Sequence, residues 1–254
     1  MPTRRTTVLR ACILFFGITF AVAPLPAQMV GSRDLTSGWR LPSEHISVPE
    51  NCEKPRSSVL DGQEPRSEGA SPKDLELTIV QTWPAKLEIG NDFNATVRLK
   101  NIGTAAVLVP SAPDGEGLLR PSADGTEEKY EVGDVSFRLT TGKQHGIPVY
   151  LNSAGALFAD PDNNSGYLSL KPGNWLEIKI HARVECGMEN CMGEIQPDNN
   201  AQLTAWWYQR VLSHHVSGCD ETHQSVKVRE VDSAPFNIEV ESPSTKTSTM
   251  ARNY

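Results

Sequence analysis

The sequence predicts an all-β protein built as an antiparallel β-sandwich, and three stretches carry this prediction. Residues 93–100 (FNATVRLK), 176–185 (LEIKIHARVE) and 202–212 (QLTAWWYQRVL) alternate apolar and polar side chains over the length of a strand. A period of two directs one set of side chains into the core and the other into water. Each sheet is therefore expected to bury one face, as antiparallel sheets commonly do.

Composition sets the scale and excludes one class of partner. The chain has 254 residues, with 31 acidic and 24 basic side chains and a formal charge of -7. A chain of this length fits one or two domains, and sandwiches often use it as one. The net negative charge gives no positive electrostatic potential that would attract a phosphate backbone, so we expect no nucleic-acid partner.

The N-terminus has the pattern of a secretory signal peptide over residues 1–27. Arg4, Arg5 and Arg10 precede the apolar run 11–23, which is too short for a stable membrane span and ends in Pro-Leu-Pro-Ala. We expect cleavage near Ala27. The mature protein is then secreted or periplasmic, with no stable membrane span.

Four cysteines remain after signal cleavage, an even number in an oxidising compartment. Disulfides are the default expectation, and four cysteines permit three pairings. We favour a short bridge between Cys186 and Cys191 and a long one between Cys52 and Cys219. Spacing alone leaves this connectivity open.

The first half of the chain divides into a linker and the start of the body. Residues 28–74 are rich in Pro, Ser, Glu and Gly without a sustained period, so we expect a low-complexity linker that is largely extended or disordered. The body, residues 75–241, opens with a strand that ends at Trp83-Pro84, since proline cannot donate to a ladder. Residues 93–110 follow as a predicted hairpin, with its turn at Asn-Ile-Gly and its returning strand over residues 105–109.

The second half of the body is predicted to consist of an insertion followed by further strands. Residues 111–133 are mostly Gly, Pro, Asp, Glu and Ser, which predicts a long loop. A Lys-Pro-Gly turn at residues 171–173 introduces the strand at 176–185. The polar residues 242–254 are expected to form a disordered tail. Alternation predicts the remaining strands at residues 134–140, 147–151, 167–170, 202–212, 225–230 and 236–241.

Several of these motifs together resemble a bacterial immunoglobulin-like sandwich. They are the strand 93–100 with its Asn-Ile-Gly turn, Leu-Lys-Pro-Gly before a long strand, Leu-Thr-Ala-Trp-Trp-Tyr, and Ser-Ala-Pro before the last strand. The resemblance covers residues 75–241. It implies an immunoglobulin-like fold, with a role as an adhesin, a spacer, a carbohydrate-binding module or a protease inhibitor, and does not choose among them. The insertion and the cysteine loop at Cys186 depart from the compact form of the family.

The best candidate binding residues are Trp206, Tyr208 and Arg210. If Leu203, Ala205 and Trp207 face the core, these three lie on the opposite face and Trp206 and Tyr208 form an aromatic strip. Tyr, Trp and Arg are favoured anchors for partners. The competing interpretation is that another segment of the chain covers the strip.

Two candidate metal sites are weaker, and we expect no metal and no cofactor. The stretch 160–166 offers oxygen ligands from Asp160, Asp162 and Asn164, but its glycine is one place late for an EF-hand and Lys171 replaces the closing glutamate. The alternative is an Asx-rich turn. A second set could supply imidazole and thiolate ligands for zinc, and it consists of His181, His214, His215, Cys219 and His223. Adjacent histidines on a strand face opposite ways, so His214 and His215 cannot both bind one ion from a strand.

No nucleophile elbow, zinc-protease helix motif or phosphate loop occurs in the sequence, so we do not expect an enzyme. The favoured function is an exported, non-catalytic binding or structural protein that recognises a protein partner or a polysaccharide through loops or the aromatic strip. Two alternatives stay open. One is an extracellular protease inhibitor that presents the loop at 111–133 or at 186–191, and the other is a secreted enzyme of a type that the motifs do not identify.

Overall fold

The structure, a computed structural model, describes residues 27–37, 40–42, 46–52, 56–63, 72–118, 121–142, 149–186 and 195–243. Within these ranges the protein is all-β, with a short 3-10 turn at Pro72–Asp74. No helix in the described part is long and apolar enough to cross a membrane. The strands in chain order are β1 (Met29–Asp34), β2 (Arg56–Gln63), β3 (Leu75–Trp83), β4 (Lys86–Glu88), β5 (Asp92–Asn101), β6 (Val107–Pro110), β7 (Glu127–Thr140), β8 (Val149–Ala154), β9 (Ala156–Ala159), β10 (Tyr167–Leu170), β11 (Trp175–Cys186), β12 (Asp198–Ser217), β13 (Asp220–Asp232) and β14 (Phe236–Glu241).

Most strands belong to one curled sheet. Its central order is β2-β13-β12-β7-β8-β11-β5-β3, with β1, β4, β9 and β14 paired at its sides, while β6 and β10 form a separate two-stranded sheet. The short strand β8 joins the two halves, because it pairs with both β7 and β11. At the other end β3 comes into contact with β12 and β13. The result is a nearly closed, barrel-like sheet around one main core.

The alternation predicted in the sequence positions the core side chains. On β5, β11 and β12 the apolar set faces inward and is almost fully buried, and it consists of Phe93, Ala95, Val97, Leu99, Leu176, Ile178, Ile180, Ala182, Val184, Leu203, Ala205 and Trp207. The intervening side chains are mostly half-buried or exposed. The predicted faces of these three strands are confirmed.

Trp207 is the largest fully buried side chain among the described residues, and a glycine makes room for it. A Cβ at Gly133, on the neighbouring strand β7, would lie 2.2 Å from Cη2 and 2.3 Å from Cζ2 of the Trp207 indole. Real carbon atoms do not approach so closely, so the indole needs a residue without a side chain beside it. The Trp207 Nε1–H points to Gln209 Oε1 at 3.4 Å.

Beside Trp207 the interior contains a polar cluster of the buried residues Glu131, Gln209 and Arg229 and the half-buried Tyr167. The carboxylate of Glu131 accepts hydrogen bonds from the Tyr167 hydroxyl and from the Gln209 amide, and Arg229 Nη1 donates to Gln209 Oε1 at 3.2 Å. Burial, followed by the Glu131 carboxylate, raises the pKa of the Tyr167 hydroxyl, and burial lowers the pKa of Arg229. The partners within the cluster compensate for taking these polar groups out of water.

The predicted hairpin over residues 93–110 is wrong. The strand β5 is flanked on its two edges by β3 and β11, so no edge is left for the segment that follows it. That segment becomes β6 and pairs with β10, with Val109 opposite Leu168. Asn101 still makes a turn, since its side-chain amide donates to the carbonyl oxygens of Ala105 and Leu170 at 2.7 Å.

Two further segment predictions need correction. The loop predicted over residues 111–133 ends earlier, because β7 begins at Glu127 and its first residues pair with the far end of β12. The predicted linker 28–74 contributes β1 in parallel to β11 and β2 in parallel to β13. These strands are held by backbone hydrogen bonds, which any sequence can form, so they need no alternation of apolar side chains. Without that alternation, the composition alone predicted a linker.

The disulfide between Cys52 and Cys219 is present, with 5.5 Å between the Cα atoms. It joins the N-terminal segment to the turn between β12 and β13 and confirms the long pairing. The Cys186–Cys191 pairing lies outside the described residues, as do the signal peptide up to residue 26 and the tail from residue 244 onward.

Gly133→Ala is expected to lower the free energy of unfolding by about 2 kcal/mol, because the added methyl group overlaps the Trp207 indole and overpacking has costs of this size. Urea unfolding followed by tryptophan fluorescence measures the change. Gly142→Ala is the matched control, since its Cβ would meet only Asp198 Oδ2 at 3.5 Å, and its effect should stay within about 0.5 kcal/mol. Equal effects of the two substitutions would contradict the packing argument.

Cys52→Ala combined with Cys219→Ala should lower the free energy of unfolding by up to about 5 kcal/mol. The bridge closes a sequence separation of 167 residues, and chain entropy predicts a contribution of this size for so long a loop. Urea unfolding of both proteins under non-reducing conditions is the measurement. A difference below about 1 kcal/mol would show that the bridge does not constrain the unfolded chain in this way.

Candidate functional site

The predicted binding residues Trp206, Tyr208 and Arg210 lie together on the outer face of β12. Their neighbours Trp207 and Gln209 point into the interior and are buried. The face is maintained because β12 pairs with β7 without a break in register along this stretch. The three side chains are half-buried, so neither full exposure nor complete covering describes the strip.

The two aromatic rings are in contact and a third ring borders them. The centroids of Trp206 and Tyr208 are 5.3 Å apart with 33° between the ring planes, and Tyr150 from β8 meets Trp206 edge-on at 6.0 Å. Tilted and edge-on arrangements of this kind are favourable for aromatic pairs. The strip is therefore a curved aromatic wall, with Tyr150 limiting it on one side.

Charged side chains surround the aromatic wall in three oppositely charged pairs. Arg138 contacts Asp232, Arg210 Nη2 lies 3.1 Å from Asp134 Oδ2, and Lys227 contacts Glu230. The three cations also lie 5.6–5.9 Å from ring centroids of the wall. Each cation is thus held by a carboxylate and by an aromatic ring, which fixes the rim of the site.

Two carboxyl groups of this rim have shifted pKa values with different causes. Burial raises the pKa of Asp134, and the nearby Arg210 opposes that rise. The hydrogen bond from Lys227 lowers the pKa of Glu230, and the Trp206 indole N–H, which donates to Glu230 Oε1 at 2.9 Å, acts in the same direction. Glu230 thereby fixes the orientation of the indole.

Between β12 and the adjoining strands lies a cavity of about 310 Å³ whose wall includes the aromatic strip. Trp206 and Tyr208 supply apolar faces, Arg210 supplies donors and Asp134 supplies acceptors. Serine hydroxyls from β7 and β8 complete the polar part, and they belong to Ser136 and Ser153. The arrangement can hold a flat ligand with one apolar face and a hydroxylated edge.

The calcium candidates form a turn. Asp160 is buried, and its Oδ1 accepts hydrogen bonds from the backbone N–H groups of Asp162 at 2.9 Å and Asn163 at 3.0 Å. Its Oδ2 accepts a further hydrogen bond from Asn163 Nδ2 at 2.6 Å. Asn164 takes a left-handed conformation with φ of 52°. The oxygens of Asp160 face their own backbone, which is the geometry of an Asx turn.

Two of the zinc candidates come together and the other three lie elsewhere. His215 is exposed on the opposite face of β12 from His214, as expected for adjacent strand residues, and Cys219 is in the disulfide. His181 lies on β11 beside Asn94. His214 and His223 face each other across the β12–β13 pair, and Glu221 joins them. Glu221 was not predicted, because only the pairing register brings it beside the histidines.

Sequence reasoning also missed Asp134, Tyr150 and Glu230 at the aromatic wall. Asp134 on β7 and Glu230 on β13 both stand directly opposite Tyr208, one on each side of β12. The register of these three strands therefore assembles the site. The outward polar positions of 134–140 were visible as alternation in the sequence, but nothing local identified their partners.

Comparison with known proteins yields no family for this chain. No family model and no curated protein matches it. Among solved structures, the Pseudomonas fluorescens alkylpurine DNA glycosylase AlkC bound to DNA aligns at 11% identity and a TM-score of 0.24 over 66% of this chain and 30% of its own. Spo0M, the sporulation control protein of Bacillus subtilis, aligns at 11% identity and 0.26 over 66% and 49%. AvmM, which catalyses macrocyclisation in alchivemycin A biosynthesis, aligns at 12% and 0.25 over 68% and 92%. Structural similarities with such low TM-scores and sequence identities do not support an inference about function.

Glu230→Gln is expected to destabilise the protein slightly near neutral pH and not in acid. The pKa of Glu230 is lower in the folded protein than its usual value of 4.5, so its charge stabilises the fold above that value and the contribution is lost as the pH falls through the folded value. The loss near neutrality should be about 0.5 kcal/mol, as for other partly exposed pairs.

Urea unfolding at about pH 6.5 and at a series of pH values well below 4.5 measures this difference, because the contribution is lost as the pH falls through the lowered pKa of Glu230. Glu76→Gln, at an exposed position of β3, is the control substitution. A wild-type advantage over Glu230→Gln that is equally large in acid would contradict the assigned charge effect.

Proposed function

We propose that the protein is an exported, non-catalytic binding protein that holds a neutral sugar unit of a polysaccharide against Trp206 and Tyr208. The observation that carries the proposal is the cavity of about 310 Å³, in which two aromatic rings stand beside Asp134 and Arg210. Ligand pockets begin at about this volume. A sugar ring presents C–H groups on its face and hydroxyls at its edge, which matches apolar rings bordered by donors and acceptors.

The charges of the rim favour a neutral ligand over an ionic one. Arg138, Arg210 and Lys227 each have a carboxylate partner in the fold, and the three pairs sum to zero. A phosphate or an acidic sugar would compete with Asp134 for Arg210, and a cationic ligand would compete with Arg210 for Asp134. A hydroxyl can bind to either member of a pair without separating the two.

The size and shape of the site favour a sugar over a protein partner. A specific protein interface buries about 800 Å² on each side, whereas the concave aromatic wall is confined to a few residues. The long charged side chains at its rim are fixed by ion pairs. These side chains admit only a slender ligand, which would make its contacts inside the cavity.

The proposal also includes export of the protein and an immunoglobulin-like fold. The disulfide between Cys52 and Cys219 fits an oxidising compartment, which agrees with the secretory pattern of residues 1–27. We also propose that the body is a variant of the immunoglobulin-like sandwich whose two halves are joined through β8. The Lys-Pro-Gly turn before β11, with Gly173 at φ of 82°, and the Ser-Ala-Pro segment before β14 support this interpretation.

Replacement of Trp206 and Tyr208 by alanine should abolish retention on a neutral polysaccharide. Affinity electrophoresis in gels that contain xylan, glucan or soluble chitin derivatives measures retention for the wild type and for the double variant. Arg210→Gln should weaken retention by about tenfold, because it removes charge-assisted hydrogen bonds to hydroxyls.

Trp83→Ala is the matched control, because Trp83 is 75% exposed on β3 and lies outside the cavity. It should leave retention unchanged. Urea unfolding of each variant separates lost binding from lost folding. If the wild type passes freely through all three gels, or if a folded double variant is retained as strongly as the wild type, the proposal is wrong; retention of the wild type on an immobilised protein instead would identify a protein partner.

A further inference from the structure

At the far end of β12 two histidines and a glutamate converge. His214 on β12 stands directly opposite His223 on β13, and their imidazole rings stack with centroids 4.4 Å apart and only 10° between the planes. Glu221 lies two residues before His223 on the same strand and therefore on the same face. A cross-strand pair and an i, i+2 neighbour thus place three potential ligands at one point.

The potential ligand atoms are close enough to share one ion. His214 Nε2 lies 2.9 Å and His223 Nε2 lies 3.4 Å from the same oxygen, Glu221 Oε1. All three donor atoms lie within 4.8 Å of one another. Ligands of a tetrahedral zinc ion with bonds of about 2.0–2.1 Å are about 3.3 Å apart, and the two His–Glu distances are near this value. A metal ion lies near the plane of each imidazole that binds it, so the His223 ring has to turn out of its parallel stack with His214 when an ion binds.

We propose that His214, Glu221 and His223 form a binding site for a divalent transition-metal ion, with Zn²⁺ as the ion that the ligand set suits best. Two imidazole nitrogens and one carboxylate oxygen are a usual zinc donor set. Three protein ligands leave one tetrahedral position for water or a small ligand. This site is independent of sugar binding, since His214 is four residues, or about 14 Å of strand, from Arg210.

A carboxylate from each neighbouring strand faces the two imidazoles, and a bound cation would complement this negative charge. Glu128 on β7 stands opposite His214 and is only 2% exposed, so a second carboxylate faces the same region. A divalent ion between neutral imidazoles supplies positive charge where these groups converge.

The surrounding structure holds the ligands in place and leaves room for the open position. His214 is 6% exposed at its side chain and fixed, whereas Glu221 and His223 are 24% and 38% exposed and can rotate the short distance needed. β2 pairs with the other edge of β13 at these residues, and the Cys52–Cys219 disulfide closes the adjacent turn. A cavity of about 160 Å³ borders both imidazoles and is lined in part by Tyr130 and Ser225.

The test is titration of the full chain, purified without a histidine tag and stripped with a chelator, with Zn²⁺ alone. Isothermal titration calorimetry should find one equivalent bound, and the melting temperature should rise on addition of Zn²⁺. His223→Gln and Glu221→Gln should each lower the zinc affinity by at least about 100-fold, since loss of a ligand exceeds the effect of losing an outer-shell partner. Both substitutions are at partly exposed positions and preserve hydrogen-bonding groups, so folding should persist.

His215→Gln is the matched control, because His215 is the exposed neighbour on the opposite face of the same strand. It should bind zinc as the wild type does. The proposal is overturned if the wild type binds less than one equivalent, or if His223→Gln and Glu221→Gln bind as tightly as the wild type. Equal loss in His215→Gln and His223→Gln would also overturn it, since surface histidines in general would then account for the binding.

Discussion

The constraint on which the structure depends is the unbroken ladder between β7 and β12, which runs from Gln202 opposite Thr140 to His215 opposite Glu127. Side chains of a strand alternate strictly, so this one register decides what faces inward and what faces outward along β12. A slip by one residue would bring Trp206 inside and direct Trp207 into solvent. Gly133 prevents this, because it is the residue that accommodates the Trp207 indole.

The two faces of this ladder differ in the side chains that they carry and in their exposure to water. Inside, Gln209 and Glu131 are kept from water, and hydrogen bonds with Arg229 and Tyr167 compensate for this burial. The opposite face of the same strand carries first the aromatic wall and then His214, which neighbouring elements bury. A small apolar cluster around Val132 and Phe158 lies beside this face and separates the two regions.

The sequence was sufficient for properties that depend on local period and insufficient for those that depend on pairing. Alternation identified the buried and outward faces of β5, β11 and β12, including the placement of Trp206 and Tyr208, because facing depends on each strand alone. The partner of β6 was missed, since a turn signal at Asn101 does not reveal that both edges of β5 are already occupied. Glu221 and Asp134 were missed for the same reason, because their roles depend on which residue lies across the ladder.

The disulfide has a topological consequence. Cys52 and Cys219 close a covalent ring that contains β2 to β12, whereas β1, β13 and β14 lie on the two open arms that leave it. A single backbone cut anywhere inside the ring, for example by a protease in the segment between β6 and β7, opens the ring without releasing a fragment. The nicked protein would keep its mass, apart from one added water, until a reductant separated the two pieces. Both arms of the chain also enter and leave the ring at one point, beside the turn that follows His214 and His215.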